Sequence, residues 1–415
     1  MNSYYDSTYE IAKDISAIID TSHIPFDSVY SIALKIYNDL GGEETQFDSV
    51  YSILLRILQL LQNKHNVLKL TSTGNSTVEL SQIGSAPTVD LKYSLDDGET
   101  WIQWDFSAIS LSDGQSVCFK GLNTTFATSS TDYNKFIMTG SIAARGNIMS
   151  IIDYCSYTTT TIPANYCFYN LFSGCTSLTT APELPATTLA NSCYRGMFSG
   201  CTSLTTAPEL PATTLANSCY GNMFYGCSSL TTSPALPATT LENGCYSNMF
   251  QRCTSLTTAP ELPATTLATS CYSDMFSGCS SLTTAPALPA TTLANSCYRG
   301  MLSNCTSLTT APALPATTLA NSCYGDMFYG CSSLTTSPEL PATKLEGGCY
   351  WNMFYRCSSL NYIKCLATNI SAKNCTNNWV NGVASTGIFV KAANMTDWTT
   401  GTSGIPSGWT VQNAA

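Results

Sequence analysis

Apolar residues fall on the same positions of a 26-residue unit seven times in succession. The unit that opens at Cys175 reads CTSLTTAPELPATTLANSCYRGMFSG, and further copies open at Cys201, Cys227, Cys253, Cys279, Cys305 and Cys331 without insertion. An eighth, opening at Cys357, decays, and a worn forerunner carries Tyr166, Cys167, Phe168, Leu171 and Phe172. In the first full copy the apolar positions are Leu178, Ala181, Leu184, Leu189, Cys193, Tyr194, Met197 and Phe198. Pro182 and Pro185 lack amide hydrogens and push their predecessors to extended geometry, so the first half of the unit predicts short strands and turns with threonine flanks. Residues 190–199 lack proline and place Cys193, Tyr194, Met197 and Phe198 at i, i+1, i+4 and i+5, a spacing that predicts about two turns of helix. One such unit cannot bury its own apolar face, so each must lean on the next in a solenoid. Stacked at ~4.7–4.9 Å, seven or eight coils span about 35–40 Å.

The motif L-x-x-x-P-x-L-P followed by C-Y-x-x-M-F-x-x-C-[ST]-S-L resembles the BspA-like class of leucine-rich repeats over roughly residues 165–378. The unit is slightly longer than the commonest form and has Met-Phe where many members have Ala-Phe. The resemblance implies an α/β leucine-rich-repeat solenoid, a binding or adhesion surface that is usually extracellular, and no catalytic residues.

Residues 1–65 carry a second periodicity. Tyr5-Asp6-Ser7-Thr8-Tyr9, Phe26-Asp27-Ser28-Val29-Tyr30 and Phe47-Asp48-Ser49-Val50-Tyr51 recur every 21 residues. Asp-Ser after an aromatic reads as a helix N-cap, and the apolar residues that follow keep helical spacing. Three short amphipathic helices make a small core, marginal alone. They are expected to form an attachment or oligomerisation module that a partner or sister chains complete, through Tyr9, Tyr30, Ile32, Ile36, Tyr51, Ile53, Leu54 and Ile57; a plain helical cap is the alternative.

Residues 66–146 alternate instead, with strands expected over 90–94, 100–106, 115–120 and 135–138, as in a small β domain capping the solenoid. Ser94, Asp96, Gly98, Thr100 and Trp101 resemble the Asp-box, a hairpin device in which Asp takes turn amides and Trp packs beneath. The solenoid is expected over 147–379. Residues 380–415, with closing strands at 387–391 and 404–411, would form a C-terminal β cap. Endings of the form G-x-F-x-K followed by G-I-P-x-G-W-T-V resemble those found beside BspA-like repeats, including in predicted phage fibre proteins.

Composition narrows the chemistry. A net charge of −10 with 11% charged residues and no basic patch argues against nucleic acid. No early signal peptide and no apolar run near 18 residues is visible, so neither classical export nor membrane insertion is expected. Nine of the 20 cysteines form one column from Cys167 to Cys375, and eight form another from Cys175 to Cys357. Their gaps do not suit zinc, the only histidines are His23 and His65, and buried free thiols are the expected state. No P-loop, dinucleotide fingerprint or nucleophile triad is present, so neither catalysis nor a cofactor is expected.

The near-identical copies differ mainly at five positions. The residue after Cys-Tyr reads Arg195, Gly221, Ser247, Ser273, Arg299, Gly325 and Trp351. The residue after Met-Phe (Met-Leu once) reads Ser199, Tyr225, Gln251, Ser277, Ser303, Tyr329 and Tyr355, and its neighbour Gly200, Gly226, Arg252, Gly278, Asn304, Gly330 and Arg356. The residue after the first proline is Glu or Ala, and the one before Met is Gly, Asn or Asp. Copies two and three match six and seven, as if a block of 104 residues were duplicated. Exposed Trp, Tyr and Arg favour recognition, which makes Tyr225, Arg252, Tyr329, Trp351, Tyr355 and Arg356 the candidate ligand face; a freely drifting surface is the competing explanation. The resulting expectation is a non-enzymatic phage virion fibre or tail adhesin, assembled in the host cytoplasm. It would bind other virion proteins through residues 1–65 and a bacterial surface glycan or protein through the solenoid, as a homo-oligomer such as a trimer. The alternatives are a bacterial BspA-like cell-surface adhesin and a structural virion decoration protein.

Overall fold

A computed structural model describes residues 66–154 and 159–414. The expected N-terminal helical module and its attachment residues lie outside them.

The first described region is all β. Strands β1 (Leu68–Ser72), β2 (Ser76–Ile83), β3 (Leu91–Ser94), β4 (Ile102–Gln103), β5 (Ile109–Leu111), β6 (Ser116–Gly121), β7 (Tyr133–Thr139) and β8 (Ile142–Arg145) precede the repeats. β9 (Leu178–Thr180) belongs to the first full coil and pairs parallel with β8, giving a six-stranded sheet of order β4-β3-β6-β1-β8-β9. A three-stranded sheet, β5-β2-β7, packs on it, with Phe119 of β6 meeting Phe136 of β7 edge to face at 5.5 Å. The alternating burial of β1 and β2 fits one face on this shared core and one toward solvent. The Asp-box sequence forms the β3–β4 turn. The Thr100 amide and the Ser94 hydroxyl donate to Asp96 Oδ1 at 2.9 and 2.7 Å, and Trp101 Nε1 donates to the Gly98 carbonyl at 3.0 Å. Led by the Thr100 hydroxyl, these donors hold the Asp96 carboxyl at about 2.

The repeats form a β-solenoid, not the α/β leucine-rich-repeat solenoid that the resemblance implied. The helix expected over residues 190–199 is absent, and a ribbon of consecutive tight turns replaces it. Alternate amides reach the next coil: Ser192, Tyr194, Gly196, Phe198 and Gly200 donate to the carbonyls of Asn217, Cys219, Gly221, Met223 and Tyr225 at 2.7–3.0 Å. The intervening amides of Cys193, Arg195, Met197, Ser199 and Cys201 turn back three residues within their own coil at 2.9–3.2 Å. Ten amides are thereby satisfied in sequence, whereas an isolated ten-residue helix would leave its terminal groups unpaired and make no backbone bond between coils.

Every fourth residue of this ribbon has a positive φ. In the first full coil these are Ser192 (55°), Gly196 (66°) and Gly200 (74°), and the same three columns recur in every copy. Gly, Asn, Asp and Ser fill almost all of them, the residues that tolerate the left-handed region or bond locally within it. The interchange of Gly, Asn and Asp before Met is therefore a conformational requirement. Between these turns, Cys193-Tyr194 and Met197-Phe198 point inward and are fully buried.

The other sides of each coil hold little continuous strand. Parallel bridges occur at single threonines, Thr180 to Thr206 and Thr188 to Thr214 among them, because the prolines between remove ladder donors. Longer pairing returns at the C-terminal end, where β10 (Thr336–Leu340), β11 (Tyr362–Cys365), β12 (Ile388–Lys391) and β13 (Thr410–Asn413) make a parallel sheet in sequence order.

Two aromatic ladders run through the core. One passes from Phe168 through Tyr194 and Tyr220 to Tyr350 with centroids 5.6–6.2 Å apart. The other starts at Phe136 of β7, continues through Phe172 and Phe198, and is interrupted by Leu302. Both end on Trp379, which stacks on Trp398 at 5.5 Å and donates from Nε1 to the Gly404 carbonyl at 2.8 Å. The hydrophobic core is one cluster from Leu68 to Trp409.

The 19 described cysteines are free and buried. In the second column the Cys201, Cys227 and Cys253 thiols donate to the carbonyls of Phe172, Phe198 and Phe224 at 3.1 Å, a weak further tie between coils. Burial pushes the Cys175, Cys227, Cys279 and Cys331 thiols up to about 12, and Cys193 and Cys201 well above the ordinary 9.0. The folded values are raised, so this stabilisation is complete below pH 9 and is lost as the pH climbs toward 12, where the unfolded chain alone ionises. Each thiol that stays protonated in the core while its unfolded counterpart ionises makes the fold less stable as the pH rises above 9. Thermal unfolding followed by circular dichroism should find the solenoid less stable at about pH 10 than at pH 8, with thiol reagents reaching the columns only once it unfolds; equal stability at the two pH values would contradict the burial of the thiols.

Candidate recognition face

The ribbon's outward positions are the residue after Cys-Tyr, the residue after Met-Phe and the neighbour of the latter. All six residues of the candidate ligand face lie there, in two groups. Tyr225 and Arg252 sit in adjoining coils, with the Arg252 guanidinium 5.6 Å from the Tyr225 ring centre. Tyr329, Trp351, Tyr355 and Arg356 gather on the last two full coils. Tyr329 and Tyr355 stack at 5.0 Å with planes 8° apart, and Arg356 packs 5.4 Å from the Tyr355 ring. The aromatic residues are half-buried and the arginines exposed.

The structure adds three residues to the second group. Arg299 lies 5.4 Å from the Trp351 ring although the two are separated by a whole coil. Gly325 occupies the position between them, so no side chain intervenes. Arg299 Nε also meets Asp326 Oδ2 at 3.4 Å, and Asn352 Nδ2 donates to Asp326 Oδ1 at 3.0 Å. Nearby, burial raises the Asp274 carboxyl above its usual range while the Ser273 hydroxyl, donating at 2.9 Å, and the Arg299 charge pull the other way. Arg299 was visible in the sequence as a variable residue, but its alignment with Trp351 depends on a glycine one coil away.

Two of these arginines sit in strained backbone. Arg252 and Arg356 have φ of 63° and 60° in a column where sister coils carry Gly200, Gly226, Gly278, Asn304 or Gly330. A left-handed conformation costs a residue with a Cβ about 1–2 kcal/mol, while an exposed cation–π contact returns only about 0.5–1 kcal/mol.

Elsewhere the proline-bearing side has a shallow open depression of about 460 Å³ between two coils, lined by Pro234, Leu236, Pro237, Pro260 and Pro263, with Glu261 its one charged residue. Among the described residues no His, Cys, Asp and Glu cluster could hold a metal, and no helix is long and apolar enough to cross a membrane. Comparison with protein-family models, with curated proteins and with solved structures gives no match.

Replacing Arg252 by the glycine of its sister coils relieves backbone strain, loses one cation–π contact and frees the unfolded chain. The unfolding free energy of Arg252→Gly, measured in urea, should lie within about 1 kcal/mol of the parent. A loss of several kcal/mol would mean that Arg252 holds the fold together.

Proposed function

We propose that the protein is a non-catalytic recognition component of a phage fibre or tail, carried by residues 1–65 on other virion proteins and meeting the bacterial surface through the solenoid's turn ribbon. The observation that carries this reading is the split between inward and outward positions. Inward columns of Cys, Tyr, Met and Phe barely change from coil to coil, while the outward columns change and bring Trp351, Tyr225, Tyr329, Tyr355 and the arginines to the surface. Side chains of these types dominate binding hot spots.

The resemblance of the repeats to BspA-like sequences points the same way. The buried free thiols suit a chain that completes folding in a reducing compartment, as a virion component does. A non-enzymatic role fits a face whose chemistry is aromatic and guanidinium, and thiols pushed too high to act as nucleophiles at neutral pH.

Co-sedimentation of the purified full chain with envelopes from a panel of bacteria tests the proposal. Retention by particular envelopes is expected, weakened about tenfold or more by the paired change Trp351→Ala and Tyr355→Ala. Glu261→Gln on the proline-bearing side should leave it unchanged. The reverse pattern would move the contact to the other side of the solenoid and contradict the proposal.

A further inference from the structure

The two copies of the duplicated block keep nearly the same turn ribbon in their second and third coils. Residues 218–226 and 244–252 recur as 322–330 and 348–356 with three changes: Asp326, Trp351 and Tyr355 stand where the earlier coils have Asn222, Ser247 and Gln251. The three changes fall together. Asp326 Oδ2 meets Arg299 Nε at 3.4 Å, and Asp326 Oδ1 accepts from Asn352 Nδ2 at 3.0 Å. Trp351, the one tryptophan of residues 175–356, lies 5.4 Å from the same guanidinium. Tyr355 stacks on Tyr329 at 5.0 Å. The residues that these changes join were already in place, since Arg299, Tyr329 and Asn352 correspond to Arg195, Tyr225 and Asn248 of the first copy. The second copy has thus gained one connected cluster on a backbone that otherwise repeats.

Gly325 opens a notch in this cluster, between the Arg299 guanidinium and the Trp351 indole. Sister coils carry Arg, Ser or Trp at its position, and it lies outside the left-handed columns. An added Cβ would meet nothing closer than the Gly348 carbonyl at 3.4 Å, so the notch is open by residue choice and not by backbone need.

The chemistry around the notch is polar but balanced. Arg299 and Asp326 cancel each other's charge, and a ligand of either sign would compete with that pair and leave one member uncompensated. Arg299 engages Asp326 through Nε and has further N–H donors, while Asp326 and the Asn352 amide oxygen are acceptors. The half-buried indole adds an apolar face. A neutral pyranose suits all of these groups, because its hydroxyls both donate and accept and one side of its ring presents C–H groups. We infer that the sixth and seventh coils hold a binding site for a neutral hexose unit of a polysaccharide, seated at Gly325 against Trp351 and hydrogen-bonded to Arg299, Asp326 and Asn352. The inference rests on the recognition reading above and names its ligand.

Calorimetric titration of the full chain tests it, with dextran, a mannan and a galactan as neutral polymers of glucose, mannose and galactose, and hyaluronan as the charged comparison. At least one neutral polymer should bind, more tightly than hyaluronan and with affinity nearly unchanged between about 10 mM and 150 mM salt. The triple variant Asp326→Asn, Trp351→Ser and Tyr355→Gln copies the sister coils and so keeps the fold; it should lose about tenfold or more in affinity. Gly325→Ala, which fills the notch with one methyl group, should also weaken binding, whereas Gly221→Ala at the sister position should bind as the parent does. No binding of any neutral polymer, tighter binding of hyaluronan, or unchanged affinity in the triple variant or in Gly325→Ala would each overturn the inference. If any of these accompanies the loss of envelope retention on changing Trp351 and Tyr355 to alanine, surface recognition stands and only the hexose falls. Neutral-polymer binding without envelope retention would uphold the hexose site and remove the bacterial surface.

Discussion

The alternation of amides along the turn ribbon is the constraint on which the solenoid depends. Every second N–H must reach the next coil and the others must close within their own, and a chain does both only by entering the left-handed region every fourth residue. The rest of the repeat follows. Residues between left-handed positions come in inward pairs, Cys193-Tyr194 and Met197-Phe198, so apolar side chains repeat in pairs every four residues. Identical pairs on successive coils then stack in register as ladders, with nearly parallel rings such as Tyr194 and Tyr220 at 1°. Cysteine suits the space beside such rings because it is small, apolar and able to donate weakly to a neighbouring carbonyl.

A scaffold held by its backbone and inward pairs leaves its outward positions unconstrained except at the left-handed columns. Most changes there are neutral to the fold, which is why aromatic and arginine residues could accumulate. Arg252 and Arg356 go further, because they enter a left-handed column at a cost that glycine would avoid. The same face therefore separates residues the fold tolerates from residues that it accommodates under strain.

Much of this was legible in the chain. The 26-residue period, the inward apolar positions and the strands near 91–94, 116–121, 133–139 and 388–391 follow from pattern alone. The helix did not follow. Pairs at i, i+1, i+4 and i+5 satisfy a helical stripe and a four-residue turn equally well, and the distinguishing signal lay in residues that looked free to drift. Gly196, Asn222, Asn248, Asp274, Gly300, Asp326 and Asn352 are all suited to positive φ, and a helix would have had no reason to prefer them in one column. Strands β1 and β2 escaped notice because their alternation is interrupted by polar residues and a turn. On the candidate face, residue types were readable, but the pairing of Arg299 with Trp351 was not, since it spans two coil steps over Gly325.

The sign of one glycine substitution tests the ribbon most directly. Gly226 has a φ of 71°, and an added Cβ would meet nothing closer than the Gly200 Cα at 4.0 Å, so Gly226→Ala probes backbone conformation without a clash. The left-handed cost of about 1–2 kcal/mol outweighs the entropy gain of about 0.4–1 kcal/mol. Equilibrium unfolding should therefore find Gly226→Ala less stable than the parent by about 0.5–1 kcal/mol. A measured gain in stability would mean that Gly226 holds no left-handed backbone, and would contradict the ribbon.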